Sequence, residues 1–305
     1  MKRFLLKTLF FLLPVLFALA GVEYLLRSIR NDYTLKAGMY KQHPEQIETL
    51  VLGSSYGLYG LNPEFIDSTT YNGAHLAQTL DVDEALFEHY QGSFSKLKVV
   101  IIPISDISFY FRLANSEERW RMPNYSIYYD LRHSSSVADY FEILSLPFSI
   151  NRSRLLDYYI RKKSPVTVTS RGFGADYGSY TAYDLDSNAR TQGKLHRKLS
   201  DPENFVAEKE ALESIIRSCR QRGIRMILFI PPVYKGYEKE MDEAHFDRTL
   251  STCAGLKEAY RNVEFFNWLS DSTFKNEDFY DAVHLNQNGA RKLSLKIRQV
   301  LRPGQ

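Results

Sequence analysis

Four apolar runs, at 48–52 (ETLVL), 97–104 (LKVVIIPI), 225–230 (RMILFI) and 263–268 (VEFFNW), constrain this chain more than any other feature of it. Strands buried on both faces read as near-continuous apolar stretches, not as an alternation of apolar and polar residues. Helical patterns lie between and after these runs. Residues 77–91 carry Leu80, Leu86, Phe87 and Tyr90 at helical spacing; 205–222 is a long amphipathic stretch stopped by Gly223; 238–260 and 287–301 supply two more. A short helix is expected to start at 63–67, and a strand end and turn at 71–74. Strand and helix in alternation predict an α/β fold: a mainly parallel sheet between two helical layers. Ligands of such sheets sit beyond the carboxyl ends of the strands. That rule gathers Ser54 and Ser55, Asn72 and Gly73, Ser105 and Asp106, and Pro231 and Pro232 along one rim.

The N-terminus has a different character. Lys2, Arg3 and Lys7 precede an uncharged run, 8–22, of mostly Leu, Phe, Ala and Val. A secretory signal peptide shares this layout, and Ala18-Leu19-Ala20 would serve as its cutting site. An uncleaved transmembrane anchor is favoured. Between Phe4 and Leu26 only Lys7 and Glu23 are charged, and both lie near the ends, where a lysine can snorkel. Basic residues on both flanks leave the orientation open to the positive-inside rule. The expected organisation is an anchor at 1–30, a polar stem at 31–47, and a catalytic-type domain at 48–305. A large insertion, about 107–200, interrupts that domain and is rich in Tyr, Ser, Arg and Asn. Within it 152–163 and 190–198 are basic, as solvated faces or as contacts for lipid headgroups or an anionic glycan.

A formal charge of +3 over 305 residues gives no footprint for nucleic acid, and no phosphate loop or zinc knuckle is present in the sequence. Cys219 and Cys253 lack metal-ligand spacing; they either pair in an oxidising compartment or remain buried thiols. No metal and no cofactor is expected.

Serine chemistry needs an exposed hydroxyl, a histidine beside it, a carboxylate behind the histidine, and donors for the oxyanion. Gly53 lets the chain turn after the first strand, so that a following serine projects at the rim. In Asp281-Ala282-Val283-His284, just before the last helix, the aspartate can fold back onto the histidine ring. A Gly-Ser-Ser loop alone is an ordinary turn. Its pairing with a D-x-x-H motif is more specific. His75 lies close to the second motif without a clear task, and His245 is expected at the surface.

The segments LVLGSSYGLYGLNPEFI, YNGAHLAQTLDVDEALFEHY, LKVVIIPISDISFYF and FYDAVHLNQNGARKLS resemble the SGNH/GDSL hydrolase superfamily. They resemble above all its membrane-anchored bacterial branch, linked to acylation or deacylation of cell-surface polysaccharides. The resemblance covers about 48–110 and 223–301 and the N-terminal helix, not the insertion. It implies a flavodoxin-like sheet, with Ser55 as nucleophile, His284 as base and Asp281 as its partner. Ser54 stands where the family has aspartate. The Ser55 and Gly73 N–H groups are implied as oxyanion donors. Ser105 stands where an oxyanion-holding asparagine is expected, with Asn72 or Gln78 as possible substitutes; Gln78 is also a candidate substrate contact, and Asp106 is either a substrate contact or a loop cap. The implied activity is hydrolysis or transfer of an acyl group, acetyl above all, on a glycan hydroxyl outside the cytoplasm. A membrane-bound acyltransferase is the implied partner. The alternative is a binding or assembly protein on the same fold with a weakened site.

Overall fold

The computed structural model describes residues 1–132 and 134–302. Five strands form one parallel sheet: β1 (Thr49–Val51), β2 (Thr70–Asn72), β3 (Val99–Pro103), β4 (Arg225–Ile230) and β5 (Val263–Asn267), in the order β2-β1-β3-β4-β5. Register is continuous across the middle: Val51 opposes Ile101, and Ile101 opposes Ile227. Nearly every residue of β1, β2, β3 and β4 is buried, which is why these strands read as unbroken apolar runs. The pleat divides them. Val51, Ile101, Ile227 and Phe229 share one core with Leu293 and Ile297 of the helix Gln287–Leu301. Alternate residues such as Leu50, Val100 and Leu228 are equally buried and point to the opposite face. The helices Leu80–Tyr90 and Asn204–Gln221 pack against each other, and the second also packs on β4.

Two compact units emerge from the chain. Met1–Ala37 and Arg119–Val166 make one; Gly38–Glu118 and Thr167–Gln305, which include the whole sheet, make the other. Of the stretch expected as an insertion, then, only 119–166 separates from the sheet-bearing unit. The expected polar stem contains a helix, Asp32–Gln42. Cys219 and Cys253 are buried free thiols, and burial pushes both up to about 12.

In the first unit the helix Lys2–Arg27 is long and apolar enough to cross a membrane, and its apolar side chains Phe10, Phe11 and Phe17 are exposed. The buried carboxylate of Glu142 holds the rest together. Arg154 grips it with both terminal nitrogens (2.6 and 3.1 Å), Tyr128 donates to it, and Asn151 donates to its backbone carbonyl at 3.1 Å. Bidentate pairing of this kind offsets the cost of burying a charge.

The helix Gln287–Leu301 allows a direct check of the layered core. Ile297 is fully buried in the sheet core, whereas Leu295 on the same helix is exposed. Ile297→Ala is expected to cost about 2–5 kcal/mol in denaturant unfolding, and Leu295→Ala about 0.5 kcal/mol or less.

Candidate active site

β1 ends in a sharp turn. Gly53 has φ 101°, a left-handed conformation, and a Cβ there would come within 3.2 Å of Pro103 Cδ on β3. The Gly53 N–H donates to Asp83 Oδ1 at 2.9 Å. Ser54 is extended, and Ser55 opens the helix Ser55–Gly60. This places the Ser55 hydroxyl at the rim where the strand order reverses between β1 and β3.

The other half comes from the far end of the chain. His284 Nε2 lies 2.8 Å from Ser55 Oγ across 229 positions of sequence. His284 Nδ1 lies 2.9 Å from Asp281 Oδ2, while Asp281 Oδ1 accepts from the N–H groups of Val283 (2.9 Å) and His284 (2.8 Å). Burial alone would raise the Asp281 carboxyl. The neighbouring His284, with the ring and backbone hydrogen bonds, outweighs burial and holds it below the usual carboxylate range. An ionised carboxylate only accepts, so Nδ1 must donate to it. In the neutral ring Nε2 is then the acceptor for the Ser55 O–H. The loop carrying both residues is fixed at its base. Tyr280 N donates to the His284 carbonyl at 2.9 Å, and Asn286 Oδ1 caps the last helix through the N–H groups of Asn288 and Gly289.

Tyrosines surround this pair. The rings of Tyr56, Tyr59 and Tyr177 have centroids 5.6, 5.9 and 5.8 Å from that of His284. Tyr59, Tyr177 and Tyr280 stack in series at 3.7 and 3.8 Å, with the exposed Tyr180 and Tyr183 against Tyr280. Pro231, Pro232 and Leu285 complete a small cleft with Ser55 and His284.

Several expected site residues do other work. The Asn72 amide donates to the carbonyls of Gly57 and Leu61, both at 2.8 Å, tying the serine-bearing helix to β2 instead of facing an oxyanion. The Gly73 N–H, expected in the oxyanion hole, donates to Val51 O at 2.8 Å and extends the sheet. The Gln78 amide donates to Asp83 Oδ1 at 2.6 Å. Ser105 Oγ pairs with Ser108 Oγ at 3.1 Å, and its N–H donates to the same atom at 2.8 Å. Asp106 is buried and accepts from Tyr237 OH at 2.7 Å, with His196 Nδ1 3.4 Å away. Burial raises this carboxyl, but His196 and the two side-chain hydrogen bonds bring it below its ordinary value. His75 is buried, its N–H on the Gly53 carbonyl, and His245 stacks on Tyr110 at 3.9 Å where a surface position was expected.

Three features had escaped sequence reasoning. The Asp106–His196–Tyr237 cluster joins residues from three distant segments, which no local spacing announces. Ala77, in the loop after β2, has φ 56°; a non-glycine residue there marks a strained turn beside the site. Asp83 joins Gly53 and Gln78 beneath the serine loop.

Residues 188–293 match a family model described as a protein of unknown function, DUF1574, a span that contains Asp281 and His284 but not Ser55. No curated protein matches the sequence. Among solved structures, the chain is similar to a protein of Streptococcus pneumonia provisionally described as a platelet activating factor. That match has 13% identity and TM-score 0.43, covering 95% of this chain and 97% of the other. It is also similar to a GDSL-like lipase from Bacteroides thetaiotaomicron VPI-5482, at 11% identity and TM-score 0.41 over 88% and 95% of the two chains. A third is a Bacteroides fragilis NCTC 9343 protein provisionally described as an acylhydrolase, at 12% identity and TM-score 0.38 over 83% and 86%. The site stands on its own geometry.

Asp83 gives this region a pH signature. Burial, opposed by the Gly53 and Gln78 hydrogen bonds, raises its carboxyl from 3.8 to about 7. The folded state therefore binds the proton more tightly than the unfolded chain. The contribution of Asp83 to stability is fully present below about pH 4, is lost as pH rises through about 7, and levels off where both states are ionised. Asp83→Asn is expected to remove the share of the slope that Asp83 carries, at most about 1.4 kcal/mol per pH unit, while Glu208, which burial raises to about 9, keeps its own. Urea unfolding of both proteins between pH 4 and 8 measures it.

Proposed function

We propose that the protein is a serine-dependent ester hydrolase or O-acyltransferase. The observation that carries this reading is the continuous chain from Ser55 Oγ through the His284 ring to Asp281, with links of 2.8 and 2.9 Å. His284 Nε2 takes the Ser55 proton as Oγ attacks an ester carbonyl. Asp281 keeps the ring in the required tautomer and stabilises the imidazolium. The protonated ring then delivers the proton to the leaving alkoxide, and an acyl-serine remains. Water releases the acyl group as a hydrolase; a sugar hydroxyl captures it as a transferase. The Ser55 N–H, in the first turn of its helix where N–H groups lack intrahelical acceptors, supplies one oxyanion donor.

The tyrosines at His284 favour a glycan ester as substrate, because aromatic faces accommodate the apolar C–H faces of sugars. In this reading the helix Lys2–Arg27 is a retained anchor, the catalytic unit lies outside the cytoplasm, and a membrane-bound acyltransferase supplies the acyl group. A second reading, a binding protein with a weak site, is favoured by one observation. Asn72, Gly73 and Ser105 make other hydrogen bonds. Removing a single oxyanion donor costs roughly 10²–10³ in kcat.

A fluorophosphonate probe is expected to label Ser55 in the wild type and not in Ser55→Ala. Asp281→Asn, which presents the wrong partner to Nδ1, is expected to lower ester turnover by about 10⁴ with the fold intact. A folded wild type that neither reacts with the probe nor turns over acetylated glycans establishes the binding reading instead. For the anchor, intact mass of membrane-extracted protein is expected to include residues 1–20; a mature chain beginning at Gly21 in the soluble fraction means a cleaved leader.

A further inference from the structure

The first compact unit has an outer surface that ordinary solvation does not explain. Between 137 and 160 the large apolar residues Val137, Leu144, Phe148, Ile150 and Ile160 are 70, 58, 82, 45 and 72% exposed. Single exposed apolar residues are commonplace, but this density in one short stretch marks a surface with a partner. Immediately beyond it Arg161, Lys162 and Lys163 form a basic run, part of which Asp157 offsets through Arg161 at 2.9 Å and Lys163 at 3.7 Å.

Four hydrogen bonds fix where this stretch sits along the helix Lys2–Arg27. Glu23 accepts from the N–H groups of Glu142 (3.1 Å) and Ile143 (2.9 Å). Arg27 Nη2 donates to the Tyr140 carbonyl at 2.5 Å, and Tyr159 OH donates to the Leu25 carbonyl at 2.9 Å. All four fall on residues 23–27, just past the uncharged run 8–22. A helix rises about 1.5 Å per residue, so a span that places the uncharged run in hydrocarbon puts residues 23–27 at the headgroup level. Tyr24, 72% exposed, stands at that same level, where tyrosine is favoured.

We propose that the segment 137–163 is a membrane-surface element. It lies in the headgroup layer around the exit of the span, with Leu144, Phe148 and Ile160 immersed and Arg161, Lys162 and Lys163 on anionic headgroups. The proposal rests on the reading of Lys2–Arg27 as a retained anchor. The occupant is lipid because apolar exposure, basic charge and the depth set by Glu23 and Arg27 coincide in one short segment of the chain. Its consequence is a second attachment of the chain to the bilayer, which limits rotation of this unit about the span.

The test uses the full chain in liposomes of phosphatidylcholine with phosphatidylglycerol, bearing an environment-sensitive NBD label on a cysteine at one position. The native Cys219 and Cys253 are buried, so labelling is selective. Phe148→Cys and Ile160→Cys are expected to show blue-shifted NBD emission that lipids carrying a shallow nitroxide quench strongly. Leu16→Cys, in the span and read with lipids carrying a deep nitroxide, is the control for the anchor itself. Quenching at 16 with unshifted emission at 148 and 160 overturns the proposal and leaves the anchor standing. Emission that is blue-shifted at 148 but not quenched means a protein covers the face, and also overturns it. Loss of quenching at all three positions means the anchor reading has failed. Charge reversal, Lys162→Glu with Lys163→Glu, is expected to reduce quenching at 160 in anionic liposomes while leaving position 16 unchanged; an unchanged signal at 160 refutes the headgroup contact. Circular dichroism establishes that each labelled chain is folded.

Discussion

The pairing of β1 with β2 on one side and β3 on the other organises the sheet-bearing unit. Parallel neighbours cannot be joined by a tight turn, so every connection crosses a face and returns to the same edge. Because the strand order reverses at β1, the loops after β1 and β3 diverge and leave a crevice at their carboxyl ends. Ser55 enters that crevice from β1, and the loop 281–284 enters it from beyond β5, just before a helix whose Leu293 and Ile297 are fixed in the sheet core. Apolar packing therefore sets the positions of the polar side chains that meet in the crevice.

Beneath the serine loop lies a layer of buried polar groups that behaves as scaffold. Asn72 binds two carbonyls of the Ser55 segment, and Asp83 binds Gly53 and Gln78. In a low-dielectric setting each such bond is costly to break, because its partner is left unsatisfied. These residues hold Ser55 within reach of His284. The same side chains are thereby committed to holding the loop rigid.

Asp106 shows a related division. It follows β3 on the rim where a substrate contact is expected, yet it is buried with Tyr237 and His196. Tyr237 is held protonated by burial and by Asp106, and so it donates. The cluster joins the loop after β3 to the helices Leu185–Leu199 and Lys235–Glu238, which also pack on each other. Polar residues at the rim thus form two networks, the Ser55–His284–Asp281 chain and the attachment of segments around Asp106.

The pattern of residues along the chain was enough to determine the strands, the helices Leu80–Tyr90, Asn204–Gln221 and Gln287–Leu301 and the apolar N-terminal segment, but not the helices Asp32–Gln42 and Leu185–Leu199. Local periodicity and continuous burial leave their mark on consecutive residues, so 225–230 and 287–301 coincide with β4 and the last helix. The Asp281–His284 contact was legible too, because three residues of separation close within one turn. Whether Ser55 meets His284, and what Asn72, Gly73, Gln78, Ser105 and Asp106 bind, was decided only by tertiary structure. A side chain with several hydrogen-bonding options takes the one that packing brings nearest, and those partners, from Gly57 for Asn72 to Tyr237 for Asp106, lie on other segments. The separation of 119–166 from the sheet-bearing unit has the same origin, since its packing with the N-terminal segment depends on hydrogen bonds such as Glu23 to Ile143, more than a hundred residues apart.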